Sequence, residues 1–146
     1  MHTMFRTAFA GLALSAAMVL GPAALAETVA FKAELKASSE VPPVESKGSG
    51  TLTATYDTAS KSLNYTANYS GLTGDATAAH FHGPAAAGAN AGVVVPVTGS
   101  AASPIKGSAT LTDAQAADLT AGRWYFNIHT AANKGGELRG QVVKGP

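Results

Sequence analysis

From residue 29 onward, apolar and polar residues alternate in short runs. In "VAFKAEL", Val29, Phe31, Ala33 and Leu35 share one side, and Lys32, Glu34 and Lys36 share the other. That period of two marks a half-buried strand. "GTLTATYD" repeats it, with Leu52, Ala54 and Tyr56 opposite threonines, and "SLNYTANYSGL" sets Leu63, Tyr65 and Ala67 against Asn64, Thr66 and Asn68. "DATAAHFHG" reads as a fourth strand, "GVVVPVTG" as a fifth and "SPIKGSATL" as a sixth. The period then changes. In "LTDAQAADLTAG", Thr112 precedes Gln115 as a capping box and Gly122 marks a C-cap, which predicts one short helix. "RWYFNIHT" and "ELRGQVV" close the chain as a strand hairpin around Asn133 and Gly135-Gly136. About seven short strands, with turn signals at intervals of roughly 8–12 residues, predict an all-β single domain. The expected architecture is a Greek-key-like β-sandwich or small barrel with one short helix.

The segments between strands carry their own signals. "SSEVPPVESKGSG" is a loop, because Pro42-Pro43 has no place inside a sheet. Glu40 and Glu45 flank the double proline, where a solvated loop is expected rather than a paired-carboxylate site. At the start of the chain, Arg6 precedes an apolar run from Ala8 to Leu20, a Gly21-Pro22 break and Ala24-Leu25-Ala26. This is the pattern of a secretory signal peptide over residues 1–26, with a domain over 27–146 and a periplasmic or secreted location. The run falls short of the roughly 20 apolar residues of a membrane span, and no later stretch supplies one.

Composition narrows the function. Ten Lys and Arg stand against nine Asp and Glu, and Arg6 belongs to the leader. A near-neutral mature chain without a basic patch points away from nucleic acid. There is no cysteine, so thiolate metal sites and cysteine nucleophiles are excluded. No G-x-S-x-G occurs, and no catalytic residue is assigned. Trp124 and Tyr125 are expected in core or edge packing rather than as a ligand platform. The sequence names no partner protein and leaves a homodimer open.

Histidine is the informative residue. Of four in the chain, His2 lies in the leader. His80 and His82 are separated by Phe81, so in a strand they project from one face, roughly 6–7 Å apart at Cα. His129 shares a face with Asn127, while Phe126 and Ile128 turn to the other. Glu137, Arg139 and Gln141 alternate in the next strand, where the hairpin can bring Glu137 near His129. Three imidazoles, His80, His82 and His129, converging on one metal ion are the leading reading. Glu137, Asn127 and Arg139 are candidates for a fourth ligand or for the surrounding shell. Three nitrogens with an open position suit copper, with zinc as the alternative. No other cofactor is indicated. A structural role for these histidines is the competing reading, since H-x-H alone is a weak motif.

"ASSEVPPVESKGSGTLTATYD", "LTGDATAAHFHGPAAAGANAGVVVPV" and "AGRWYFNIHTAANKGGELRGQVV" resemble successive blocks of the CHRD domain over roughly residues 29 to 143. That family occurs in chordin and in many short exported bacterial proteins. The resemblance implies an all-β extracellular or periplasmic domain and puts His80, His82, His129, Glu137 and Arg139 in the family pattern. The cysteine-rich modules of chordin are missing, so its growth-factor binding is not implied. "HFH" with Arg139 is also similar to copper-zinc superoxide dismutases, which bind copper through an H-x-H strand and guide an anion with arginine. The chain lacks their bridging histidine, zinc loop, fourth copper histidine and disulfide. Three functions follow: copper capture, buffering or delivery; a copper-dependent redox enzyme; or a metal-free interaction or adhesion module.

Overall fold

The computed structural model describes residues 25–146. The expected leader, residues 1–26, lies outside the described residues apart from Leu25 and Ala26. Strands form at Thr28–Lys36 (β1), Ser49–Asp57 (β2), Ser62–Ser70 (β3), Ala76–His82 (β4), Val93–Pro96 (β5), Ile105–Thr110 (β6), Trp124–Thr130 (β7) and Leu138–Lys144 (β8). Among the described residues one α-helix, α1, spans Asp113–Thr120, and a single 3-10 turn follows β1 at Ala37–Ser39. Both bonds of the Thr112–Gln115 capping box are present. The C-cap is Ala121 rather than Gly122; the glycine follows with φ of 72°, the left-handed position just past the helix that glycine takes at least cost.

The strands make a single antiparallel sheet in the order β5-β4-β7-β8-β1-β2-β3-β6. It curls into a nearly closed barrel: Tyr65 of β3 packs edge-on against Phe81 of β4 at 5.0 Å, although the two strands are far apart in the sheet order. Of sandwich and small barrel, the continuous sheet is the barrel. The inward residues are those the alternation selects, including Phe31, Leu35, Leu52, Leu63, Phe81, Phe126, Ile128, Leu138 and Val142, all buried. Each contributes about 1.5–3 kcal/mol by leaving water. Trp124 joins them as core.

Alternation alone misses how β7 is covered. Its outward residues Tyr125 and Asn127 are buried as fully as its inward ones. The segment after β4 folds back over the outer face, where Ala85 N–H donates to Arg123 O at 2.8 Å and Gln141 Nε2 donates to Ala85 O at 2.9 Å. The proline loop after β1 closes the same face and carries Glu40 with it. Glu40 is only 5% exposed, so the solvated loop expected there is corrected. On α1, Gln115 Nε2 reaches Val94 O at 3.5 Å, which shields part of the β5 edge.

Candidate metal centre

β4 supplies His80 and His82, and β7 supplies His129. In the antiparallel pairing of these strands His80 lies opposite Asn127, and His129 lies opposite Ala78. With Phe81, Phe126 and Ile128 turned into the core, all three rings leave by the outer face. The structure brings the three expected ligands together: one nitrogen from each lies within 4.8 Å of the others. His80 Nδ1 and His129 Nε2 are 3.0 Å apart.

Two backbone carbonyls orient the rings. His129 Nδ1 donates to Lys134 O at 2.8 Å, which leaves its Nε2 as the lone-pair nitrogen facing His80. His82 Nδ1 donates to Ala91 O at 2.9 Å, and its Nε2 faces Asn127 Oδ1 at 3.1 Å. Such outer partners fix the tautomer and aim of metal-binding histidines. Burial lowers the His80 pKa below the usual 6.5, and the neighbouring rings His129 and His82 lower it further. Burial also lowers that of His129; its bond to Lys134 opposes this in part, and His82 adds to it. Both rings therefore favour the neutral form, the one that ligates.

The other expected groups are placed differently. Arg139 pairs with Asn127 across β7 and β8, and its guanidinium lies 3.5 Å above the Tyr125 ring. Tyr125 in turn stacks on His82, with planes 1° apart and centroids 4.8 Å apart. Since β7 runs between β4 and β8, Tyr125 separates Arg139 from the histidines. Arg139 is buried and donates to Asn90 Oδ1 at 2.8 Å and to Ala89 O.

Glu137, expected as a fourth ligand or shell group, is not brought to the rings. Its carboxylate accepts from Ser46 Oγ (2.6 Å), Thr73 N (2.9 Å), Thr73 Oγ1 (2.7 Å), Thr130 Oγ1 (2.7 Å) and Asn133 Nδ2 (3.1 Å). Burial raises this carboxyl, but the bonds from Ser46, Thr130 and Thr73 together outweigh it and hold the pKa at about 2.

Glu40 is the residue that sequence reasoning missed. Burial raises its pKa to about 7, against the lowering influence of Arg139 and Asn127. The only sequence signal was its place in the "ASSEVPP" block; nothing local distinguishes it from Glu45. The Ala91 and Lys134 carbonyls carry no signal at all, since every residue has one. A groove of about 610 Å³ across β1–β3 and β6 is lined by Lys32, Thr53, Asn64 and Lys106 among others, and it contains none of the histidines.

An all-β barrel presenting three convergent imidazoles defines a candidate metal-binding domain. Residues 31–142 match the CHRD domain, and the chain belongs to that family. No curated protein and no solved structure matches it.

Proposed function

We propose that the protein is an exported copper-binding domain that captures, buffers or delivers the ion through His80, His82 and His129. The 3.0 Å separation of His80 Nδ1 and His129 Nε2 carries this reading. An ion at about 2.0–2.1 Å from each nitrogen would subtend about 94° between them. That is within the range one ion can span, and imidazole nitrogens without a thiolate suit copper, which heads the divalent affinity order, with zinc as the alternative. Since opposite ligands of one ion lie about 4.2 Å apart, a span of up to 4.8 Å asks the rings to draw together by up to about 0.6 Å. Export rests on the leader pattern of residues 1–26. With Arg139 behind the Tyr125 ring, anion guidance of the superoxide dismutase kind gains no support.

The test is titration of copper(II) and zinc(II) into the chain from Glu27 onward, followed by calorimetry and electron paramagnetic resonance. One copper per chain with imidazole nitrogen couplings, bound more tightly than zinc, is the expected result. Absence of a saturable copper site, or couplings that survive His129→Ala, would overturn it.

A further inference from the structure

The three imidazoles are not equally available. His80 Nδ1 and His129 Nε2 face each other at 3.0 Å, with the second ring already oriented by Lys134 O. His82 has an oxygen acceptor at each nitrogen, Ala91 O at 2.9 Å and Asn127 Oδ1 at 3.1 Å. With Nδ1 donating to Ala91 O, the neutral ring keeps its lone pair on Nε2, and Asn127 Oδ1 stands in front of that lone pair where an ion would have to sit.

One of these two contacts is fixed. Ala91 N–H donates to Tyr125 Oη at 3.2 Å, Gly83 N–H donates to Gly92 O at 3.1 Å, and Arg139 holds Ala89 O and Asn90. The loop that carries Ala91 O is thus tied on several sides. The other contact is a single side chain. The Asn127 amide is turned by what lies behind it: Nδ2 donates to Gly135 O at 3.4 Å and acts on the Glu40 carboxyl. Glu40 Oε1 is buried and makes no hydrogen bond of its own, so it offers a spare acceptor to that N–H₂ group. Both groups crowd Gly136, where a Cβ would lie 2.7 Å from Asn127 Nδ2 and closer still to Glu40 Oε1. Two acceptors behind Nδ2 leave Oδ1 pointing at His82.

We infer that Asn127, held in this orientation by Glu40, gates the third ligand of the metal site. The inference rests on the metal-binding reading above. His80 and His129 receive the ion as a pair; His82 joins only when Asn127 gives up its Nε2. The site is then a two-stage binder of a divalent ion such as copper(II), and Glu40 and Asn127 are positioning residues.

The experiment measures copper(II) affinity by competition titration, and the number of coupled nitrogens by electron paramagnetic resonance, on the whole mature chain. Asn127→Leu and Asn127→Ala differ in volume, so a packing defect in one is separated from the common effect. Both are expected to bind copper about fivefold more tightly, the size of one polar contact no longer to be displaced from the Nε2 lone pair. Glu40→Leu shifts affinity the same way by a smaller factor. In a His82→Ala background the Asn127→Leu gain disappears, which a purely structural role for Asn127 does not predict. If the wild type binds copper and neither Asn127 variant binds it more tightly, or the gain persists without His82, the gate is overturned and the metal site stands. A wild type that binds no copper overturns both.

Discussion

His129 donates at Nδ1 to the Lys134 carbonyl and turns its Nε2 lone pair toward His80 Nδ1. With the pKa values of both rings below 6.5, the ligating forms persist at pH values where a free imidazole is already charged. Copper affinity measured between about pH 5 and 8 is therefore expected to decline with a midpoint under 6.5; a midpoint at or above that value would contradict the burial of these rings. Glu137 is a second case where surroundings decide. Its folded pKa of about 2 lies below the usual 4.5. The stabilisation is thus complete above pH 4.5 and fades as pH falls toward 2. By linkage it reaches up to about 3 kcal/mol at neutral pH. Glu137→Gln keeps the shape but turns an amide N–H₂ toward existing donors. It is expected to cost about 2–3 kcal/mol in denaturant unfolding at pH 7, and a loss under about 0.5 kcal/mol would show the five bonds to be dispensable.

At the scale of elements, the strand alternation was legible because an inward apolar residue and an outward polar one differ in type. His80, His82 and His129 could be assigned to one face on that ground alone. Their convergence depends on the pairing of β4 with β7, which local pattern does not encode. The junction of β8 with β1 is equally non-local. Pairs form at Lys32 with Val143 and at Lys36 with Arg139, with none between. There a Cβ on Gly140 would meet the Glu34 carbonyl, with the carbonyl carbon at 2.8 Å. Gly140→Ala is expected to push β1 away and cost about 2–3 kcal/mol. The same substitution should weaken copper binding, because Gly140 pairs with Phe126 on β7, the strand that positions His129. Thermal unfolding and copper titration of this variant check both, and an unchanged melting temperature would show that the junction yields freely.

The whole molecule couples the site to the fold. The rings come from strands joined through long-range pairing, so an ion that binds only the folded barrel stabilises all of it. Copper at about 100 times its Kd is expected to add about 2.7 kcal/mol, a rise of roughly 10 °C in Tm for a domain of this size. No shift in a thermal melt at saturating copper would mean that the ion binds folded and unfolded chains alike.

The sequence by itself determined the all-β class, the single helix with its capping box, the inward residues and the family, because each is written in short-range periodicity or in ordered motifs. It also singled out the three histidines. Only the tertiary structure decided that the sheet closes toward a barrel, that Glu137 serves four loop and strand residues instead of the rings, and that Tyr125 stands between Arg139 and His82. It also decided that Glu40 is buried behind Asn127. Those outcomes depend on which distant segments cover the outer face of β7, and burial by a distant segment leaves no periodic trace in the chain.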